Sequence, residues 1–528
     1  MALITRTDNS RSVDLAATAE GHLEVAIHSP TLPFGAVHAE GLTPIFQSDA
    51  VYGLNASEVN AVTGHSTGGV TSGVNTGTNN LFTCATGTTS LSFATIQSRR
   101  RLRYRAGQGL VGRFAGFFTA PVVNSILVAG FGTAESGFYF GYNGVNTGTA
   151  AKFGILYSTG AKREIRTLTV ATASTATNDY AVTLNDVTTT VTATNNASTV
   201  KTAYEISRGT YPGWQATQRG STVVFLSDNA GAKAGAFTLA QPSAGVPAAG
   251  TFATTLAGVA STDTWTYQSD WNGDKLNGTG ASGYTLDPTK GNVYQLSMQY
   301  LGFGTIAFQI EVTHPGSNNS VFVTVHTIKY PNTATTTSVN QPSFPFTMAA
   351  YSAGSTTNCS VSVGSFGGFI EGQKKLTGPR MGYSVSTNGF VGSAASTYYP
   401  LFTVRNERVY GGRANQAVVN LISMSASHDD ATPIEFSIIR DATLVGTPSF
   451  TAFAPTSCTY WDTAATTATV SGNGQLIFTM HTGQAGGQAF AFTDEISIQP
   501  GETVTLAARA VTGTATYVSA SLNTREDQ

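Results

Sequence analysis

Apolar and polar residues alternate with a period of two along most of this chain, the pattern of strands that bury one face. The clearest case is VYQLSMQYLGFGTIAFQIEV, where Leu296, Met298 and Tyr300, then Ile306, Phe308 and Ile310, oppose Gln295, Ser297, Gln299, Gln309 and Glu311. Leu23, Val25 and Ile27 alternate in the same way in HLEVAIH. In SRRRLRYRAGQG, Arg99, Arg101, Arg103 and Arg105 fall on one face of an extended segment, with Leu102 and Tyr104 on the other. SILVAGFGTAESGFYFGYNG and FGILYSTGAKREIRTLTV follow as strands punctuated by glycines. DYAVTLNDVTTTVTAT predicts a hairpin turning at Asn185–Asp186. One stretch departs from period two: STVKTAYEISRG, with Val200 and Tyr204 at i,i+4 and Gly209 as a stop, predicts a helix. Towards the C-terminus YPLFTVR, AVVNLISMSAS, IEFSIIRD, GQLIFTMH, EISIQ and TVTLAARAV recur at regular spacing, with Pro500–Gly501 as a turn.

These patterns predict an all-β, multidomain chain. Residues 1–95, which include the Thr/Gly/Asn-rich tract Thr63–Asn80, read as an N-terminal arm and anchoring segment. Residues 96–170 and 263–375 read as one split β-sandwich, and 171–262 as a small ββαββ-like α+β insertion in one of its loops, where insertions cost little. Residues 376–528 read as a C-terminal β-sandwich.

Composition agrees. The 528 residues are 41% hydrophobic and include 57 glycines, in a background of Thr, Ser, Asn and Ala. At about 150 residues per domain this length accommodates three or four cores. Charge changes the picture more. Only 11% of residues are charged, against about 25% in an average domain. The net charge of −2 gives no reason to expect attraction to nucleic acid. No apolar run approaches the roughly 18 residues needed to span a bilayer, and the polar start MALITRTDNSRSVDL carries no signal-peptide core. Cys84, Cys359 and Cys458 are far apart and odd in number, so they read as buried free thiols.

Against that sparse background, five of the 28 Lys and Arg residues fall between positions 99 and 105. Guanidinium forks pair with carboxylate or phosphate at two points. The ladder Arg99, Arg101, Arg103 and Arg105 is therefore a candidate interface or anion contact. It is answered within the protomer, by Glu135, Glu164, Asp270 or Asp274, or else by another subunit or an anionic ligand. No aromatic-interleaved basic groove accompanies it, which disfavours nucleic acid.

Other chemistry is weaker. Asp270, Asn272, Asp274 and Asn277 in DWNGDKLNGTG superficially suggest calcium, but Lys275 and Ala281 stand where an EF-hand needs Gly and Glu, so a self-bonded turn is expected. The eight histidines show no metal spacing, and His428-Asp429-Asp430 reads as a solvated turn. Glu135, Glu164, Asp270, Asp274, Asp287 and Glu311 offer carboxylates for glycan hydrolysis without singling out a pair. Neither GxSxG nor GxxxxGK[ST] occurs. No cofactor or metal is expected. Among Tyr139, Tyr142, Trp214, Trp265, Trp271 and Trp461, we take Trp214, Trp271 and Tyr142 as candidates for stacking on sugar, against core packing as the ordinary role.

The stretches VAIHSPTLPFG, PIFQSDAVYGLN, SRRRLRYRAGQGLVGRF, AESGFYFGYNG, GILYSTGAKREIRTLTV, WNGDKLNGTGASG, KGNVYQLSMQYLGFGTIAFQIE and SASLNTREDQ resemble virion structural proteins of tailed bacteriophages, with relatives in large double-stranded DNA viruses. The resemblance implies jelly-roll or concanavalin A-like sandwiches that serve as fibres, adhesins or surface attachments, and it implies no active site. The expectation is thus a non-enzymatic virion protein, made in the host cytoplasm without a signal peptide. Its expected partners are its own copies, as a homotrimer, other virion proteins and a host-surface glycan. A carbohydrate-binding adhesin and a glycan depolymerase are the alternatives.

Overall fold

The period-two stretches pair into antiparallel sheets. The computed structural model describes residues 41–55, 57–64, 72–74, 80–145, 150–173, 177–194, 198–241, 250–313, 320–374, 378–387, 397–429, 431–471, 474–492, 496–513 and 517–527, with short paired segments at 7–8 and 11–12. The strand expected around Leu23, Val25 and Ile27 and most of the Thr63–Asn80 tract lie outside these residues.

Two large sheets share the main core. The first runs, in spatial order, Thr262–Tyr267, Lys152–Thr159, Gly137–Asn143, Ser125–Gly132, Phe346–Ser352, Phe93–Ser98 and Val59–Gly64. The second runs Ser320–Ile328, Ile306–Thr313, Asn292–Met298, Leu110–Phe118, Ser360–Glu371, Phe82–Ala85 and Ser72–Val74, with Leu42–Asp49 also paired to Ser360–Glu371. Their inner faces interlock through aromatic rings: Phe346 stacks on Phe366 at 4.2 Å, and Phe114 stacks on Tyr294 at 4.9 Å while Phe140 tilts against the same tyrosine. Each such contact adds about 0.5–1.5 kcal/mol beyond burial. Much of the expected arm is therefore part of this body. Leu42–Asp49, Val59–Gly64, Phe82–Ala85 and Phe93–Ser98 complete both sheets, because Phe46, Val59, Phe82 and Ile96 bury in the shared core.

A smaller unit has its own core of Leu168, Tyr180, Val182, Ile206, Trp214 and Phe225, among others. Its sheets are Trp214–Arg219, Thr222–Ala230, Arg163–Val170 and Gly250–Leu256, and Val187–Ala193, Asn178–Leu184 and Phe237–Ala240. Arg163–Val170, expected in the split sandwich, thus pairs instead with the strands of this unit. The hairpin turns at Asn185–Asp186, both with positive φ (54° and 66°), as a type I′ turn requires. The helix forms over Thr199–Ser207, capped by Ser198, whose Oγ accepts the Lys201 N–H at 3.3 Å. It buries Thr202, Ala203 and Ile206 rather than the expected Val200 and Tyr204.

The C-terminal residues form two further sheets over one core of Phe402, Val404, Val419, Phe436, Ile438, Leu506 and Leu522, among others. One runs Arg380–Thr387, Val518–Asp527, Val418–His428 and Gly487–Ala491, with Ser497–Ile498 on Val418–His428. The other runs Thr443–Gly446, Ala465–Thr469, Thr397–Asn406, Thr503–Ala510, Ile434–Arg440 and Gln475–Thr482. Gly501, at φ 92°, supplies the left-handed position of the expected Pro–Gly turn, closed by Glu502 N–H to Gln499 O at 3.0 Å.

Candidate functional site

The arginines at 99–105 lie in the seam between the main core and the C-terminal sheets. Leu102 is fully buried and Tyr104 packs edge-on against Tyr300 at 5.2 Å, which turns the odd-numbered side chains away from the core. Arg99 NH1 reaches Glu502 Oε1 at 3.2 Å, and Arg101 NH1 donates to Gln416 Oε1. Arg105 NH2 donates to Asp527 Oδ2 at 3.0 Å, with Arg103 NH1 3.5 Å from the same oxygen. These partners lie 315 to 422 residues further along the chain.

The partners expected within the protomer are engaged elsewhere. Glu164 binds Arg166 Nε at 2.6 Å, Asp274 accepts the Leu276 and Ser282 N–H groups at 2.9 and 2.7 Å, and Asp270 is exposed. Glu135 accepts the Arg163 N–H at 3.2 Å and influences Arg101 only through its charge. Burial, then the Arg163 and Arg103 charges, pull Arg101 down to about 10. Burial also lowers Arg103, against the pull of Asp527. Both guanidiniums stay protonated at neutral pH, short of counter-charge.

A second ionic seam joins the smaller unit to the C-terminal sheets. Glu407 is completely buried, 2.8 Å from Arg405 NH2 and 3.3 Å from Arg219 Nε. Burial pushes its carboxyl up, and the two guanidiniums outweigh this and hold it below its ordinary value. Arg405 lies over the Phe450 ring at 4.1 Å, and Arg408 NH1 donates to Gln215 Oε1 at 2.7 Å. Ile165, Val224 and Leu226 pack on Val409 and Ala414 beside it.

The two seams frame a cleft of about 290 Å³. Its floor is the outer face of the seven-stranded sheet. There the register aligns Asn60, Gln97, Thr347, Gly130, Tyr139, Leu156 and Trp265 in one row across all seven strands. At a strand spacing of about 4.8 Å the row is about 29 Å long. Val128, Tyr139 and Leu156 form an apolar centre flanked by Ile126, Trp265 and Ala349. Arg163, Gln215, Asp228 and Asn229 of the smaller unit and Gln416 of the C-terminal region wall it. Gln97 Nε2 donates to Thr347 Oγ1 at 2.9 Å, and Arg163 NH2 lies 3.7 Å from Asp228 Oδ1. Burial raises the Glu135 carboxyl above its ordinary value, partly offset by the Arg163 N–H and by the Arg163, Arg413 and Arg101 charges.

The sugar-stacking candidates are not in this cleft. Trp214 packs edge-on against Phe237 inside the smaller unit, Trp271 packs against Phe153 and donates to Thr266 O at 3.2 Å, and Tyr142 lies between Phe118 and Phe153. All three are buried, so no ligand ring can reach their faces, and that assignment is corrected. Trp265, half-buried and stacked on Tyr267 at 6.5 Å, is the tryptophan at the end of the cleft row. His428 is also no solvated turn residue: it is buried at a strand end, its Nε2 2.7 Å from Gly483 O, while Asp430 lies outside the described residues. The DWNGDKLNGTG loop spends its oxygens on itself and its neighbour strand. Asn277 Oδ1 accepts from Thr279, and Asn272 exchanges two 2.8 Å bonds with the Thr327 backbone. Among the described residues no cluster of three His, Cys, Asp or Glu side chains forms.

The residues that sequence reasoning missed are Glu502, Gln416, Asp527, Glu407 and the cleft floor. The floor did leave a signal: SILVAGFG and GFYFGYN are apolar on both faces, where a strand with one solvated face alternates. Compared with models of protein families and with curated proteins, the sequence matches none.

Proposed function

We propose that this chain is a non-enzymatic virion structural protein of a tailed bacteriophage, a fibre or surface attachment, that assembles as a homotrimer and recognises a host-surface glycan in the cleft. In this reading the main sheets are a jelly-roll or concanavalin A-like sandwich, the smaller unit is an insertion in it, and the C-terminal sandwich docks on both. The reading draws on the sequence resemblance. The observation that carries it is the row of Asn60, Gln97, Thr347, Gly130, Tyr139, Leu156 and Trp265 under a polar wall. Asn60, Gln97 and Trp265 keep exposed surface along this row while Tyr139 and Leu156 lie buried beneath it, so a flat, hydroxyl-rich polymer would meet side-chain amides and one indole.

Binding of purified host-surface polysaccharide to the full chain tests this. Asn60→Ala with Gln97→Ala is expected to weaken binding about tenfold, the loss of one or two ligand hydrogen bonds, with the melting temperature little changed, since Asn60 is exposed and Gln215 of the ionic seam is untouched. Absence of saturable binding to any surface polysaccharide of the host, or binding indifferent to both substitutions, overturns the reading. A second reading, glycan depolymerase, is favoured by the raised Glu135 carboxyl beside Asp228 in the same cleft. It requires reducing ends to appear on incubation and to cease with Glu135→Gln.

A further inference from the structure

The arginine ladder does more than tie two sheets together. Between the main core and the C-terminal sheets it lines a second cavity of about 50 Å³. Arg100, Arg101, Arg103, Arg105 and Lys374 face this space, and the only carboxylate among its lining residues is Asp527. Asp527 is already shared, since one oxygen serves both Arg103 and Arg105. Glu502, the other carboxylate of the seam, is taken by Arg99.

The hydrogen-bond inventory shows the same imbalance. Arg105 uses NH2 on Asp527, and its buried NH1 finds no protein acceptor. Arg103 NH1 faces Asp527 outside hydrogen-bonding geometry, and Arg101 Nε is likewise buried without an acceptor. A buried donor left unmade costs about 1–3 kcal/mol, more when charged. Four arginines around one shared carboxylate in a partly dry seam also repel one another.

We infer that this cavity is a binding site for one tetrahedral oxyanion of the phosphate or sulfate class, held by Arg100, Arg103 and Arg105 and clamping the C-terminal sheets to the main body. Such an anion offers several acceptor oxygens to guanidinium forks that approach from different directions, which one shared carboxylate cannot do. Burial first, and then the neighbouring arginine charges, depress Arg101 and Arg103. Arg101 lines both this cavity and the glycan cleft, whereas Arg100, Arg103 and Arg105 line this cavity and not the cleft. The same group arrives either as the free ion or on a phosphorylated or sulfated sugar.

Titration of the full chain with inorganic phosphate, at ionic strength held constant with sodium chloride, tests this by calorimetry and by melting temperature. One phosphate per chain is expected to bind and to raise the melting temperature until the site saturates. Arg103→Gln is expected to weaken binding about tenfold or more, the loss of a charge-assisted bond. Arg100 is exposed, so Arg100→Gln keeps the fold and is expected to weaken phosphate binding without lowering the ion-free melting temperature. Asp527→Asn has the opposite sign: it loosens the ion-free seam, yet binds phosphate more tightly because the competing carboxylate is gone. A sugar phosphate that binds as well as inorganic phosphate identifies a carried group, and one that is excluded identifies the free ion. Absence of saturable phosphate or sulfate binding at millimolar concentration overturns the inference. So does binding unchanged by both Arg100→Gln and Arg103→Gln, or weakened by Asp527→Asn.

Discussion

Arginine suits the seam positions because its fork can hold one acceptor while keeping further donors, as Arg105 does with NH2 on Asp527 and a buried NH1 that has no protein acceptor. Lysine, a compact and strongly hydrated charge, resists the same burial. Glu407 shows the converse, one carboxylate serving Arg405 and Arg219 at zero exposure. Its removal leaves two guanidiniums without their charge partner, so Glu407→Gln is expected to lower unfolding stability by about 3–5 kcal/mol at pH 7. The pH dependence has a definite sign. The folded carboxyl is held below its ordinary value by these arginines, which outweigh burial. Its contribution is therefore complete above the unfolded value of about 4.3 and is lost as pH falls through the folded value. Urea denaturation at pH 7 and again below pH 4 checks this: the deficit of the variant shrinks in acid. Equal stability at pH 7 would show that the seam does not depend on this carboxylate.

At the scale of elements, turns and strand faces carry most of the information. Asn185 and Asp186 adopt the left-handed turn their residue types favour, whereas Leu301 occupies φ 35° with 48% of its surface exposed. A residue with a Cβ pays about 1–2 kcal/mol for that conformation, and so exposed a leucine recovers little by burial. Leu301→Gly is expected to raise stability by about 0.5–1 kcal/mol after the entropy of glycine is counted, seen as a higher melting temperature. A lower one would mean that the side chain, not the backbone, governs this turn. Ser125–Gly132 and Gly137–Asn143 are nearly continuous buried runs, because one face meets the aromatic core and the other forms the cleft floor. Their alternation is hidden for that reason, while Leu296, Met298 and Ile306, Phe308, Ile310 stand out against polar neighbours.

For the whole molecule, the two ionic seams join three cores, and strands paired on one side only lie at the sheet edges. Gly487–Ala491 is an outermost strand among the described residues, exposed at every position, and its Phe490 clusters with Phe478 and Phe492 at 4.7 and 5.4 Å. Leu476 on the neighbouring edge strand is 47% exposed. An uncharged, apolar edge of this kind invites strand pairing with another chain. If the proposed trimer forms here, Phe490→Lys is expected to convert it to monomer in sedimentation equilibrium, with the monomer still folded. A trimer unaffected by the substitution would move the interface elsewhere.

Strand content, the Asn185–Asp186 hairpin, the Thr199–Ser207 helix, the Pro–Gly turn and the unusual Arg99–Arg105 cluster were all legible in the sequence. Each depends on residues within a few positions of one another: side-chain alternation, positive φ, a serine cap, local charge density. The same reading placed Trp214, Trp271 and Tyr142 on a surface and gave the arginines partners from residues 135–274. Tertiary structure alone decided that those rings are buried and that Glu502, Gln416 and Asp527 answer the ladder. The physical reason is that burial and charge pairing depend on which faces meet, and here the meeting surfaces are hundreds of residues apart. The chain carries an excess of arginine at one place and carboxylates at several. Only the folding of the C-terminal sheets onto the main body selects which of them meet, and gathers four arginines around the one shared carboxylate of Asp527.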